Sequence, residues 1–330
     1  MTFQRKIKYF LIITLILVPL VSFGQLPDIG KDLLVTLNPS VPEPNQNVFI
    51  SIENYSFDLS KSSITWFVNG VVQSQFSGKK SFSFKAGDLG SSTVINISVT
   101  TPSGNLVEER IVIRPSDIDL LWEASSYTPP FYKGKALHSP RGIIKVVALA
   151  EVVGSGGFRL GKNSLDYTWK RNGEVLRSLS GVGENTLTLA GSVVSFGFTK
   201  VDLEIKEAGK ETLLARKSLQ VNEAFPKIVF YENHPLLGIN FDNALQKTFS
   251  LGKEELEIKA SPYFFSKESM DNLNYRWRIN KKRVSGDKDT LLVRVVKEKG
   301  LSSISLQIEN ALNALQLGSA SFFIEFGNNI

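Results

Sequence analysis

Apolar and polar residues alternate with period two along much of the chain, most clearly in one stretch that occurs three times. In residues 273–282 the apolar Leu273, Tyr275, Trp277 and Ile279 alternate with Asn274, Arg276, Arg278 and Asn280. Such a set lies on one side of an extended backbone, so the stretch predicts a half-buried β-strand. Leu165, Tyr167 and Trp169 repeat the pattern, as do Ile64, Trp66 and Val68. Each copy runs into Asn69-Gly70, Asn172-Gly173 or Asn280-Lys281. Asn and Gly tolerate the positive φ of a two-residue hairpin turn, and the third copy, without its glycine, leaves the turn type open.

The segments downstream of each tryptophan also recur. A short strand is expected at residues 81–84, 186–189 and 290–293, then a glycine-containing loop, then a second alternating strand. Its inward residues are Ile95, Ile97 and Val99, then Val201, Leu203 and Ile205, then Ile304, Leu306 and Ile308. Two of the three copies turn at a glycine, Gly104 or Gly209, and return as a final strand. The order of strands and turns describes a β-sandwich. Trp66, Trp169 and Trp277 lie 103 and 108 residues apart, one per sandwich of about 100 residues.

The tryptophan strand, its turn and the later glycine-then-alternating strand resemble bacterial immunoglobulin-like domains, in particular the PKD (polycystic kidney disease) type, over residues 26–326. The resemblance implies an all-β chain of three tandem immunoglobulin-like β-sandwich domains. It implies little about function, because such modules serve as spacers, adhesins and ligand binders alike. The chain departs from the PKD pattern where Asn-Gly replaces an acidic Gly-Asp-Gly turn. The inter-sheet cysteines and tyrosine corner of antibody domains are also missing. The expected organisation is a signal peptide at 1–24 and domains at 26–115, 116–221 and 222–330, the second and third resembling each other more than the first.

The leader sets the expected compartment. Arg5, Lys6 and Lys8 precede an apolar run at residues 9–23, and Ser22-Phe23-Gly24 places small residues before a cut at Gln25. The run falls short of the ~20 residues of a membrane-spanning helix, which favours cleavage over retention as an anchor. The expected location is therefore extracytoplasmic: secreted, periplasmic or on the cell surface, with membrane contact only through an uncleaved leader. The leader carries +3 of the formal +6, so the remaining chain is nearly balanced in charge. Lys281-Lys282-Arg283 is the densest basic cluster and reads as a solvated turn, which argues against a nucleic-acid partner. Zero cysteines exclude disulfides, thiolate metal sites and cysteine nucleophiles.

Residues that mimic chemistry have plainer readings. Residues 156–162 fit GxxxxGK, but Asn163 stands where a phosphate loop needs Ser or Thr, and a strand rather than a helix comes next. The two histidines, His138 and His234, lie in expected loops with no histidine partner four residues away. Asp117, Asp119, Asp287 and Asp289 offer too few oxygens for a calcium site. The expectation is no catalytic residue, no metal and no cofactor. Trp66, Trp169 and Trp277 are expected to be core residues rather than a sugar-stacking platform, and Trp122 falls outside the repeat.

The best candidate for a contact site is residues 126–133, with Tyr127, Pro129, Pro130, Phe131 and Tyr132. Exposed aromatics are costly in water, and prolines hold a loop in one shape, which lowers the ordering cost of binding. A matching segment at residues 233–243 favours the plainer reading, in which both segments cross between sheets and pack on their own or the preceding domain. The expected function is an exported, non-catalytic protein for adhesion, binding or structural spacing, with a protein or carbohydrate surface ligand. The rivals are a subunit of an envelope or pilus assembly and an exported carbohydrate- or peptidoglycan-active enzyme.

Overall fold

The computed structural model describes residues 33–191, 197–295 and 299–327. The expected signal peptide lies outside them. The described chain folds into three β-sandwiches, each built from two sheets around its own core. In the first, Leu34–Asn38, Asn47–Glu53 and Ser81–Lys85 form one sheet. Facing it are Val71–Val72, Ser63–Val68, Thr93–Thr100 and Leu106–Ile113 in that order. The second repeats the plan with Thr186–Leu189, Ile144–Glu151 and Asp117–Ala124 against Glu174–Val175, Leu165–Arg171, Phe198–Glu207 and Leu213–Asn222. In the third, Gly238–Leu245, Lys227–His234, Glu255–Tyr263 and Thr290–Arg294 face a sheet containing Leu273–Ile279, Gly300–Asn310 and Asn313–Phe326.

One-sided burial explains the period-two pattern. Thr93–Thr100 alternates buried and half-buried positions, and the inward residues of the equivalent strands in all three sandwiches are fully buried. Trp66 and Trp169 are 0% exposed and Trp277 is 2% exposed. A buried indole N–H needs an acceptor. Trp66 Nε1 donates to the Lys79 carbonyl at 2.8 Å, Trp169 to Glu184 at 2.8 Å and Trp277 to Lys288 at 3.2 Å. Each acceptor lies just before the strand that begins the return into the opposite sheet. Each tryptophan therefore both fills the core and ties one sheet to the other.

The hairpin turns are equally regular. Asn69 and Gly70, Asn172 and Gly173, and Asn280 and Lys281 all have φ between 49° and 88°. The left-handed conformation is thus kept where the glycine is replaced by lysine. The asparagine side chain also works across the sheet: Oδ1 of Asn69, Asn172 and Asn280 accepts the backbone N–H of Val94, Lys200 and Ser303 at 2.8, 2.9 and 2.9 Å. The same three residues accept the asparagine N–H in return. Lys281→Gly is expected to stabilise the third sandwich by about 0.5–1 kcal/mol. The left-handed Cβ cost of ~1–2 kcal/mol exceeds the extra unfolded-chain entropy of glycine, ~0.4–1 kcal/mol. A melting temperature that fails to rise contradicts this.

The third sandwich departs from the expected match with the second. Residues 233–243 do not cross between sheets. They complete a hairpin in which Lys227–His234 pairs with Gly238–Leu245, turning at Gly238 with φ 73°. The corresponding segment of the second sandwich has no such ladder, since Pro129 and Pro130 supply no N–H donor. The third sandwich also gains Thr248–Leu251, which runs parallel to Asn313–Phe326 on the other sheet.

Candidate functional site

The second and third sandwiches meet through the segment just beyond Asp117–Ala124. Ser126 forms a β-bridge with Ser266. Tyr127 N donates to the Phe265 carbonyl and Phe264 N to the Tyr127 carbonyl, both at 2.7 Å. Lys267 N reaches the Ser125 carbonyl at 3.3 Å, and Ser125 Oγ donates to the Glu268 carboxylate. The chain thus extends the backbone hydrogen bonding of one sandwich onto the next.

Behind this bridge lies a buried polar network. The Gln316 amide nitrogen is 3.1 Å from Ser139 Oγ, 3.1 Å from the Pro140 carbonyl and 2.6 Å from Ser266 Oγ. Its oxygen accepts from Ser266 N at 3.0 Å and from Asn310 Nδ2 at 2.9 Å. Asn310 Nδ2 also reaches Ser269 Oγ at 2.6 Å, and Asn313 Nδ2 donates to the Pro140 carbonyl at 3.0 Å. Buried amides left unpaired are costly, so each bond helps define a single arrangement of the two sandwiches. The joint between the first and second sandwiches combines two exposed side-chain contacts, Lys217 Nζ to Glu43 at 2.5 Å and Arg114 to the Ser155 carbonyl at 3.2 Å, with a buried backbone bond from Ser116 N to the Pro42 carbonyl at 3.1 Å.

His138 sits in the second joint, 1% exposed, with its Nε2 4.0 Å from Glu223 and its Nδ1 without a hydrogen-bond partner. Burial holds its pKa below the ordinary value, reinforced by Arg171 and opposed by the Glu223 carboxylate. The folded imidazole is therefore the harder one to protonate. Its stabilising contribution is fully present above the unfolded pKa of about 6.5 and is lost as pH falls below it. Melting of the second and third sandwiches should drop between pH 7 and pH 5, and His138→Leu should flatten that dependence. An equally steep drop in the variant contradicts the assignment.

The candidate contact loop divides between the joint and the surface. Tyr127 takes part in the interdomain bridge and Pro129 is buried, while Pro130 is exposed. Tyr132 packs edge-on against Tyr263 and Phe264, with centroids 5.6 and 5.9 Å apart. The Tyr263 phenol, half-buried and bonded to the Tyr231 hydroxyl at 2.9 Å, is held above its ordinary pKa by desolvation and by that bond. Phe131 projects outward, 82% exposed and with φ 67°. Its ring lies 5.7 Å from that of Phe241, which in turn packs on Tyr231 at 5.1 Å. Phe131 and Phe241 line an open groove of about 760 Å³ together with Lys133, Glu232, Asn240 and Asp242.

Phe241 owes its place to an irregularity of the hairpin. Between the pairs Tyr231–Ala244 and Asn233–Ile239, Glu232 alone stands opposite residues 240–243. Such a bulge re-aims side chains and commonly accompanies a site. At the hairpin tip, His234 Nδ1 accepts the N–H groups of Leu236 and Leu237 at 3.2 and 3.3 Å, and both leucines are more than 80% exposed.

The remaining candidate residues take structural places. Residues 156–162 lie between Ile144–Glu151 and Leu165–Arg171, with only the three-residue turn Lys162–Ser164 before the tryptophan strand. Asp289 pairs with Lys259 at 2.6 Å. Among the described residues no group of three or more His, Asp or Glu is arranged to hold a metal ion. Trp122 is covered by Lys135, whose Nζ lies 3.4 Å from the ring centroid. Among the described residues no helix is long and apolar enough to cross a membrane. The sequence pattern singles out Phe131 but neither Phe241 nor the amide network, although Asn310, Asn313 and Gln316 interrupt an otherwise apolar inward series.

No family model and no curated protein matches the chain. Among solved structures it is similar to the three N-terminal domains of the bacteriophage RB49 highly immunogenic outer capsid protein, at 10% identity over 89% of this chain and 97% of that one, with TM-score 0.26. It is similar to the Bacteroides ovatus protein SGBP-B of a mixed-linkage glucan utilization locus, in complex with a mixed-linkage heptasaccharide, at 11% identity over 89% and 70%, with TM-score 0.23. Extracellular domains 3–5 of Drosophila OTK match at 13% identity over 86% and 93%, with TM-score 0.20. At these identities and TM-scores the matches carry nothing about the role of this chain.

Proposed function

We propose that the chain is an exported, non-catalytic array of three immunoglobulin-like modules of the PKD type, with boundaries 26–115, 116–221 and 222–330, that presents a binding surface at a cell exterior. The observation that carries this reading is the joint between the second and third modules. Its backbone bridge and buried amides give two sandwiches one fixed relation, as a module array needs if a surface shared between modules is to keep its shape. The contact loop supports it too: Tyr127 and Tyr132 hold the loop against the third module, and Pro130 and Phe131 carry it to the surface. The partner is a protein or carbohydrate of the extracytoplasmic space, with no nucleic acid involved.

Fractionation of bacteria expressing the full chain with a C-terminal epitope tests the reading. The expected product lies outside the cytoplasm and begins at Gln25, as read by N-terminal sequencing. A cytoplasmic product that keeps residues 1–24 contradicts it.

A further inference from the structure

We propose that the groove between the second and third modules is a binding site for an uncharged glycan chain, with the Phe131 and Phe241 rings as its apolar floor and Asp242, Asn240, Glu232 and Lys133 as its hydrogen-bonding rim. The proposal deepens the function given above and rests on the same joint. Among the described residues Phe131 is the one exposed large apolar residue with a left-handed backbone: it is 82% exposed and has φ 67°, which a bulky residue rarely adopts. Strain of this kind accumulates at ligand clamps, where the surrounding structure holds a residue against its preference. Phe131 is supplied by the second module and Phe241 by the third, and their rings are tilted 54° to each other, so together they form an angled apolar surface.

The chemistry of the lining selects the ligand. The electron-rich face of an aromatic ring attracts the C–H groups of a pyranose face, while carboxylates, an amide and an ammonium group serve the surrounding hydroxyls as acceptors and donors. Glycan chains combine these apolar faces with closely spaced hydroxyls. The groove is open rather than enclosed, which admits a chain passing through. Lys253 is paired with Glu232, and Lys133 balances Asp242, so the rim carries no net charge. Such a rim gives an anionic uronate chain no attraction to offset the desolvation of its carboxylates, whereas a neutral sugar uses the two acids as hydroxyl acceptors at no such cost.

Titration calorimetry on residues 25–330 with cellohexaose, chitohexaose and an oligogalacturonate tests the proposal. At least one of the two neutral chains is expected to bind, and more tightly than the uronate. Phe131→Gly removes the ring and relieves the backbone strain, so it should weaken binding about tenfold or more while melting no earlier than the parent. Asp242→Asn should weaken binding with melting unchanged. Failure of both neutral chains to bind, a preference for the uronate, or binding that survives Phe131→Gly overturns the assignment. Amide protection at Tyr127 and Phe264 separates the two levels: absent glycan binding with these amides protected removes the glycan site and leaves the module array standing, whereas unprotected amides remove both.

Discussion

Trp277→Ala is expected to destabilise the third sandwich by about 3–5 kcal/mol, the usual cost of emptying a large aromatic site in a core. Trp277 packs on Phe230 with ring centroids 5.7 Å apart, and its indole N–H occupies the Lys288 carbonyl. The substitution leaves a cavity and also releases the tie between the sheets. Against a domain stability of ~5–15 kcal/mol, this loss should lower the melting transition of the third sandwich sharply while leaving that of the first in place. Thermal unfolding followed by circular dichroism reads the difference. An unchanged curve, or a Trp277 quenched by iodide as readily as free indole, contradicts the role assigned to it.

Gln316→Ala should have the second largest effect, and it acts on the joint. Alanine leaves the Ser266 N–H and one Asn310 amide proton without the acceptor they now use, and removes the donor to Ser139 and Pro140. At about 1–3 kcal/mol for each buried group left unpaired, the expected loss is roughly 2–5 kcal/mol. Part of that loss is coupling between modules. In calorimetry the second and third sandwiches should therefore unfold over a shared transition in the parent and over separated transitions in the variant. Ser139→Ala, which removes one partner from the other module, should move the same way by a smaller amount. If Gln316→Ala melts like the parent, the amide network does not couple the modules.

These two residues mark the boundary of what a single sequence makes legible. Trp277 can be placed because one-sided burial imposes period two on Leu273–Ile279, and because the same local pattern occurs at Trp66 and Trp169. The Asn280 turn is legible for the same reason. That Lys281 also takes positive φ is not, because the requirement comes from the hairpin that encloses it. Gln316 lies 177 positions from Ser139, and nothing near either residue announces the other. The groove is half visible. The density of aromatics and prolines singles out Phe131, but Phe241 reaches it only because residues 233–243 form a bulged hairpin where the sequence suggests a sheet-crossing segment. Local periodicity thus specifies the sandwiches, whereas the joint and the groove arise from the meeting of segments remote in sequence.

Hydrogen exchange at the amides of Tyr127 and Phe264 in the full chain tests the fixed relation of the second and third modules most directly. Both N–H groups donate across the joint, at 2.7 Å, to carbonyls of the opposite module. If the two modules form one body, these amides should exchange on the slow timescale of the neighbouring strands, and Gln316→Ala should speed them. Exchange at the rate of an open loop in the parent chain would mean that the modules move independently, and would contradict the account.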